Sequence, residues 1–300
     1  MGVKGLYTYL KHYRNEIDPR EYFPQRIGID AMSLLYRFKG ATEELMDLIK
    51  GLRAAGHTLF FVFDGKPPEE KGREIQARKD MKQGAQTQAQ SIEAFLKTEE
   101  AQKMDASARD ILELKLQQCQ VQSWHMTREL RHEFQKKLWD MEIPYVKSVS
   151  EADDVLVDLA AAGKIDVIMS TDMDYLLSCV PKLWIPTKRG VFHFEELMLS
   201  EILEGERLTR EGLRDAGLLC GSEERAFTKG VPCQVAFVWM SHYGSLEALL
   251  KSNVRDPTMR KLFPGMEAVE RARQTVAAHP SFSRMRPDHY ERVKDFLHSL

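Results

Sequence analysis

The fold is decided by short apolar stretches that each run into an aspartate, of which TLFFVFD (residues 58–64) is the longest. RIGID (residues 26–30) and DVIMSTD (residues 166–172) have the same form. β-Branched and aromatic residues dominate these stretches, which are too short for helices and predict buried strands. KLWI (residues 182–185), bounded by prolines, predicts a fourth strand.

Helical patterns separate these predicted strands. Residues 42–55 have amphipathic spacing and are followed by Gly56, a typical helix stop. Ser150 to Asp153 match a capping box, which predicts a helix beginning at Ser150. Apolar strands alternating with helices predict an α/β fold with a central, mostly parallel sheet flanked by helices.

Residues 69–140 differ from their surroundings, being rich in Gln, Lys, Arg and Glu and free of proline. Their apolar spacing predicts two long helices that form an arch inserted into the α/β fold. Lys71, Arg78 and Lys82 would share one helical face, which could neutralise phosphate groups. A solvated, salt-bridged helix pair without such a role is the alternative, since Glu and Asp residues interleave with these cations.

The composition is that of an ordinary globular chain. The 300 residues are 43% hydrophobic and 29% charged, and 43 Lys and Arg against 45 Asp and Glu give a net charge of −2. These values exclude extended disorder and a uniformly basic nucleic-acid coat, although a local basic patch remains compatible. The four cysteines lack metal-site spacing and are expected to be reduced thiols.

Seven acids carry the predicted chemistry. The carboxyl ends of parallel strands meet at one edge of a sheet, where ligands bind. A single acid there is commonly only a helix cap or a turn former. The group comprises Asp30, Asp64, Asp172 and Asp174 at strand ends, with Glu151, Asp153 and Asp154 in the first turn of a helix.

Such a cluster requires cations or protons, because two like charges about 4 Å apart repel by roughly 4 kcal/mol at an intermediate dielectric. Oxygen ligands favour Mg²⁺ or Mn²⁺ over zinc. Carboxylate-held metal pairs suit phosphodiester hydrolysis. The residues alone therefore indicate a metal-dependent nuclease or phosphatase.

Several motifs extend this interpretation to a family. They are MGVKGL (1–6), IDA (29–31), VFDGKPP (62–68), IPY (143–145), SEAD (150–153) and TDMD (171–174). By these motifs the chain resembles the XPG-type structure-specific 5′ nucleases over about residues 1–250, and the flap endonucleases are the most similar branch in length and motif. Its compact and divergent form suits a viral or otherwise minimal member.

The resemblance implies two Mg²⁺ ions, for which Mn²⁺ would substitute. Asp153 would bridge the two sites. The first ion would be held by Asp30, Asp64, Glu151 and Asp153, and the second by Asp153, Asp172 and Asp174.

Two further acids become candidate metal ligands at positions where this sequence differs from the family's motifs. EADD (residues 151–154) is similar to the 5′ nuclease domains of bacterial DNA polymerase I and of phage, which makes Asp154 a possible ligand. Glu223 occupies the position of the family's last metal-binding aspartate and is a weak candidate.

The resemblance also implies DNA contacts. Lys71 and Arg78 fall on the two basic arch residues that contact the scissile phosphate, and are the candidate catalytic side chains. Tyr36 falls on a base-stacking tyrosine. Lys82 and the N-terminal Gly2 are further candidate DNA contacts.

The turn Gly230-Val231-Pro232 aligns with a helix-two-turn-helix that grips duplex phosphates and binds K⁺ in the family. Proline lacks an N–H, so a weaker duplex contact is expected here through Lys229, Gly230 and Val231. Residues 207–250 are predicted to be helices around this turn, and residues 265–300 a further amphipathic helical part.

One domain is expected to contain all of these parts. Its predicted segments are 1–68 and 141–205 with the nuclease motifs, 69–140 with the arch, 206–250 with the helix-two-turn-helix, and 251–300 as a helical C-terminal part.

The function that the resemblance implies is cleavage of DNA at 5′ flaps or 5′ ends, as an endonuclease, a 5′→3′ exonuclease or both, in replication, repair or recombination. A catalytically weakened DNA-binding or scaffolding member and an RNase with the same metal site are the alternatives. We expect a monomer in the nucleus or at cytoplasmic viral replication sites, neither secreted nor membrane-bound. The family's sliding-clamp motif is not found.

Overall fold

The computed structural model describes residues 3, 5–67, 72–221, 230–252, 267, 270 and 284–300. Within these residues, the strands form one seven-stranded sheet. The strands are β1 (Asn15–Ile17), β2 (Arg26–Asp30), β3 (Thr58–Phe63), β4 (Tyr145–Lys147), β5 (Val167–Met169), β6 (Lys182–Pro186) and β7 (Phe194–Met198).

The sheet has the order β1-β7-β6-β5-β2-β3-β4. Strands β2 to β6 are parallel where they pair, whereas β7 is antiparallel to β6 and β1 is antiparallel to β7. The four predicted strands and the mostly parallel sheet are thus confirmed. Strand β7 was not predicted because Glu195 and Glu196 interrupt its apolar pattern. Glu196 is nevertheless buried, where it accepts a 2.8 Å hydrogen bond from Trp184 Nε1.

Helices precede, connect and follow the strands along the described part of the chain. Two further short segments, Leu10–Tyr13 and Pro19–Glu21, are 3₁₀ helices. None of the described helices combines the length and apolar character that crossing a bilayer requires. The α-helices are α1 (Leu6–Tyr9), α2 (Ala31–Phe38), α3 (Thr42–Ala54), α4 (Gly72–Leu96), α5 (Glu99–Gln102), α6 (Ala106–Ser123), α7 (Arg128–Asp140), α8 (Ala152–Ala161), α9 (Asp174–Leu177), α10 (Leu199–Glu206), α11 (Arg210–Cys220), α12 (Cys233–Tyr243), α13 (Leu246–Ser252) and α14 (Pro287–Ser299).

The chain divides into two compact units. The first comprises Met1–Lys66 with Gln135–Leu300 and contains the sheet, and the second is Pro67–Phe134. Helices α4 and α6 of the second unit confirm the two long helices that the sequence predicts. They pack through Ala85, Ala89 and Cys119, and the Cys119 thiol donates to Gln88 Oε1 at 3.3 Å. Their role as a DNA-binding arch and the five predicted segment boundaries stay predictions.

Close packing against the central strand fixes helix α8. A side chain at Gly28 in β2 would lie 2.5 Å from Ile165 Cδ1 and 2.7 Å from Leu156 Cδ2. Leu156 and Ile165 are buried beside Ile168 of β5 in the same core. The absence of a side chain at Gly28 therefore lets α8 approach the sheet, which brings its first turn to the carboxyl edge.

The start of helix α8 differs from the prediction. Its N-cap is Glu151, which makes no side-chain cap hydrogen bond, so the capping box beginning at Ser150 is wrong. The Ala152 N–H instead donates to Asp64 Oδ1 at 2.9 Å. A carboxylate from the end of β3 thus satisfies a helix N-terminal donor, which the local pattern could not reveal.

The C-terminal helices agree with the predicted pattern where they are described. Helix α11 ends at Cys220, α12 begins after Pro232, and α14 lies within the segment predicted to be helical. The intervening residues 222–229 lie outside the described part.

Candidate active site

Asp30 stands at the centre of the predicted acid edge. It is the last residue of β2 and the N-cap of α2, where its Oδ1 accepts the Ser33 N–H at 2.9 Å. Its Oδ2 accepts hydrogen bonds from the Ser170 hydroxyl at 3.0 Å and from the Tyr175 hydroxyl at 3.4 Å. The Asp30 carboxylate therefore caps a helix and is at the same time a candidate metal ligand.

The electrostatic surroundings of Asp30 are strongly negative. Burial of the carboxyl group, followed by the charge of Asp64, raises the pKa of Asp30 to about 7, and the charge of Asp172 adds to this. The hydrogen bonds from Ser33 and Ser170 oppose the increase but do not cancel it. Asp64 and Asp172 therefore lie close enough to Asp30 for their charges to disfavour its ionised form.

Tyr175 is buried and its hydroxyl bonds to Asp30. Burial of its hydroxyl, and then the charges of four aspartates, raise the pKa of Tyr175 well above its ordinary value. Its position was not predicted, because a tyrosine just after the TDMD motif carries no metal-site signal of its own. The Tyr175 hydroxyl thus bonds to Asp30 and also experiences the negative charges of Asp64, Asp153 and Asp172.

The loop from β4 to α8 is held against the end of β3. The Gly65 N–H donates to Ser150 O at 2.6 Å, and the Lys66 N–H donates to Val149 O at 3.1 Å. A side chain at Gly65 would collide with the backbone of Ser148 and Val149. This contact explains the glycine that follows Asp64, and it fixes the loop that leads to Glu151.

Asp172 and Asp174 follow β5 in a tight turn. The Asp172 N–H donates to Ser170 Oγ at 3.1 Å, and the Asp174 N–H donates to Asp172 Oδ1 at 3.1 Å. Asp174 Oδ1 accepts the Val3 N–H at 2.9 Å, so the N-terminal segment rests on this acid. Ser170, which contacts both Asp30 and Asp172, was missed because the sequence analysis considered only the acids.

Asp154 pairs with a basic side chain of the C-terminal segment. Its Oδ1 lies 3.2 Å from Arg284 Nη1 in an ion pair. Asp154 therefore lies beside the positively charged guanidinium of Arg284. The role of Asp154 as a metal ligand stays a prediction.

The candidate DNA contacts are scattered over the described and undescribed parts of the chain. Tyr36 is 40% exposed on α2. Arg78 and Lys82 are half-buried on α4 of the second unit. Gly2, Lys71, Glu223 and Lys229 lie outside the described residues.

The turn at Gly230 is packed tightly against the end of α11. A side chain at Gly230 would collide with the carbonyl oxygen of Cys220. The Val231 N–H donates to Leu219 O at 2.8 Å, so this amide is already bonded within the protein. Pro232 has no N–H, and hence neither residue offers the backbone donor expected of a phosphate-gripping turn. Duplex contact and K⁺ binding at this turn stay predictions.

The acids fit a hard divalent cation in donor type and charge. Carboxylate oxygens are the ligands that Mg²⁺ and Mn²⁺ prefer, and the mutual repulsion around Asp30 would be relieved by a cation. Over the described residues, no three Asp, Glu, His or Cys side chains form a ready-made metal-binding group.

Fold and acids together define a class of protein, the α/β nucleases with a carboxylate site at the carboxyl edge of a parallel sheet. Residues 1–85 match the XPG N-terminal domain and residues 142–223 match the XPG I-region, together more than half of the chain. The chain belongs to the XPG-type structure-specific 5′ nuclease family.

Several known proteins are similar in sequence. Flap endonuclease 1 of Eremothecium gossypii is 29% identical over 279 residues, which cover 84% of this chain and 68% of that protein. Flap endonuclease 1 of Lodderomyces elongisporus is 28% identical over 287 residues, which cover 87% of this chain and 71% of that protein. The confirmed resemblance is thus to the branch that the motifs indicated.

Solved structures confirm the fold. Flap endonuclease-1 from Methanococcus jannaschii superposes with a TM-score of 0.60 at 19% identity, covering 99% of this chain and 93% of that one. The catalytic core of Rad2 in complex with DNA substrate also gives 0.60 at 19% identity, covering 92% and 80%. Human GEN1 in complex with Holliday junction DNA gives 0.56 at 17% identity, covering 100% and 74%.

Proposed function

We propose that this chain is a divalent-metal-dependent 5′ nuclease that cleaves DNA at 5′ flaps or 5′ ends, as an endonuclease, a 5′→3′ exonuclease or both. The observation that carries the proposal is the Asp30 carboxylate at the carboxyl edge of the sheet, which Ser170 and Tyr175 orient by hydrogen bonds and on which the charges of Asp64 and Asp172 act. Family membership and the sequence similarity to flap endonucleases support the reaction class. We place the reaction in DNA replication, repair or recombination.

The proposed ligands of two Mg²⁺ ions are the predicted acids. Asp30, Asp64 and Glu151 would hold the first ion, Asp172 and Asp174 the second, and Asp153 would bridge them. When bound, such ions would supply activation of water and offset negative charge on the attacked phosphate. Mn²⁺ would substitute, because it shares the preference for oxygen ligands.

The chain's own groups orient these carboxylates. Ser33, Ser170 and Tyr175 direct hydrogen bonds at Asp30, which limits the directions that its oxygens can adopt. The Ala152 N–H fixes one oxygen of Asp64 in the same way. Oriented ligands bind a cation without a large loss of side-chain freedom, and this is the contribution of the surrounding donors.

Lys71 and Arg78 would neutralise charge that develops on the scissile phosphate, and Tyr36 would stack on a base. These roles rest on the family resemblance. Substitution of Lys71 or Arg78 by alanine should slow the chemical step more than it weakens DNA binding. The connection from α2 to α3 spans only residues 39–41. So short a turn leaves little room for the loop that members of the family insert into a DNA junction to hold a 3′ flap. We therefore favour single 5′ flaps and 5′ ends over double flaps.

A cleavage assay tests the proposal. A duplex with a labelled 5′ flap is incubated with protein and Mg²⁺, and Asp30→Ala serves as the control for contaminating nuclease. We expect cleavage by the natural protein alone, with product length separating flap removal from stepwise digestion.

Two outcomes would contradict the proposal. DNA binding without cleavage, unrescued by Mn²⁺, would favour the scaffolding alternative. Preferential cleavage of an RNA flap of equal sequence would favour the RNase.

A further inference from the structure

The C-terminal segment Arg284–Leu300 lies along the edge strand of the sheet. Met285 forms an antiparallel bridge with Ser148. The Val149 N–H donates to Arg284 O at 2.8 Å, and the Arg286 N–H donates to Lys147 O at 2.9 Å. The segment therefore continues the sheet beyond β4, at the point where the chain leaves β4 for α8.

The loop between β4 and α8 is consequently held from two sides. On one side the backbone of Gly65 and Lys66 bonds to Ser150 and Val149. On the other side Arg284 accepts from the Val149 N–H, and its carbonyl also accepts the Ser148 hydroxyl at 3.3 Å. Both contacts precede Glu151 by only a few residues.

The Arg284 side chain extends this contact to the helix. Its Nη1 lies 3.2 Å from Asp154 Oδ1, and its Nε lies 3.6 Å from Asp158 Oδ2. Asp154 and Asp158 are one turn apart on α8, and Asp158 is buried. One guanidinium therefore links two successive turns of the helix at whose start Glu151 and Asp153 lie.

From this geometry we infer that Arg284 is a positioning residue for the metal site. It holds the first turn of α8 in place through Asp154, which serves as its anchor and not as a metal ligand. This inference rests on the proposed function, because it assigns Glu151 and Asp153 as ligands. Removing a partner that orients metal ligands typically costs about 10- to 100-fold in metal affinity.

Metal binding is measured by titration calorimetry with Mg²⁺ alone and by the signal of free Mn²⁺ in electron paramagnetic resonance. Arg284→Ala should weaken binding by about tenfold. Arg284→Lys keeps the charge but loses the planar guanidinium that can bond to two acids. Its metal affinity should fall by about threefold. Arg286→Ala is the matched control, because Arg286 lies on the same segment and its guanidinium pairs with Asp288 at 3.8 Å. This variant should bind metal as the natural protein does.

A double-mutant cycle separates an anchor from a ligand. If Asp154 acts through Arg284, Asp154→Asn should weaken binding as much as Arg284→Ala does, and the double variant should be no weaker than either. Loss of all binding on Asp154→Asn, in both backgrounds, would make Asp154 a ligand and overturn the inference.

Hydrogen exchange without metal gives a readout that is independent of the ions. The amides of residues 149–155 should exchange faster in Arg284→Ala than in Arg286→Ala. Unchanged exchange together with unchanged metal affinity would overturn the inference alone. Failure of the natural protein to bind either ion would overturn the proposed function as well, so the two failures are distinguishable.

Discussion

The two ends of the central strands are built on opposite electrostatic principles. At the carboxyl end, Asp30 lies near Asp64 and Asp172, and their charges repel. At the amino end, Arg26 pairs with Asp166 at 2.6 Å, and the same guanidinium donates to Leu300 O at 2.8 Å. One edge of the sheet gathers like charges and the other pairs opposite ones. The difference agrees with the proposed function, in which the carboxyl edge binds a cation, whereas the paired charges of the amino edge stabilise the fold.

The largest expected effect comes from removing one acid of the carboxyl edge. Asp172→Ala should reduce cleavage at least about a hundredfold, because bound metal contributes several kcal/mol of transition-state stabilisation. DNA binding, measured by fluorescence anisotropy, should persist. Asp166→Ala at the amino edge is the matched control and should cleave normally. A natural rate for Asp172→Ala would remove the functional distinction between the two edges.

A substitution that adds a methyl group would disturb the carboxyl edge through its backbone. In Gly65→Ala the new side chain meets the backbone of Ser148 and Val149, which cannot move aside as a flexible side chain would. We expect a loss of about 1–3 kcal/mol in the free energy of unfolding, measured with urea, and about tenfold slower cleavage.

Gly84→Ala is the control for Gly65→Ala. Gly84 lies in helix α4, and nothing lies within 4 Å of its added carbon. Alanine should therefore be neutral or stabilising by up to about 1 kcal/mol there. Equal effects at the two glycines would show that the contact with the β4–α8 loop is unimportant.

The repulsion at the carboxyl edge predicts a pH dependence in metal-free protein. The pKa of Asp30 is about 7 in the folded state, above the ordinary value, so folding binds a proton and stability falls as pH rises from about 4 to about 7. Above that range the penalty is constant.

Asp30→Asn removes this charge and provides the test. With chelator present, its thermal midpoint should exceed that of the natural protein by several degrees at pH 7.5 and by little at pH 4.5. A gap of equal size at both values would contradict the assigned cause.

The smallest expected effect lies at the amino edge. The Arg26 guanidinium lowers the pKa of Asp166, so this pair stabilises the fold above the ordinary pKa of an aspartate and loses its contribution as pH falls through the lowered value. The pair is partly exposed, so Arg26→Ala should lower the thermal midpoint at pH 7 by only about 1–2 °C. Cleavage should be unchanged, and a large loss of activity would mean that the two edges are not independent.

The strand ends were predictable because each carries its signal locally. A buried apolar stretch followed by Asp30, Asp64 or Asp172 is visible in a few residues, and parallel pairing brings such ends together. The acids' shared location therefore followed from the fold class, and the sheet confirms that class.

The rest of the site depends on contacts between residues distant in sequence. Asp64 caps α8, Ser170 and Tyr175 bond to Asp30, and Arg284 pairs with Asp154. None of these contacts has a local spacing, so the false capping box at Ser150 was the locally reasonable choice. The bonded amide of Val231 was hidden for the same reason, since its acceptor Leu219 belongs to the preceding helix.

The contact between Val3 and Asp174 also has a consequence for the order of events during synthesis. These residues are 171 positions apart. Strand β5, which pairs with β2, is likewise synthesised long after β2. A growing chain is extended at about 5–20 residues per second. Asp30 and Asp64 are therefore synthesised several seconds before Asp172 and Asp174. A nascent chain that ends before Asp174 cannot complete the acid edge, so the proposed cleavage activity is expected only late in translation.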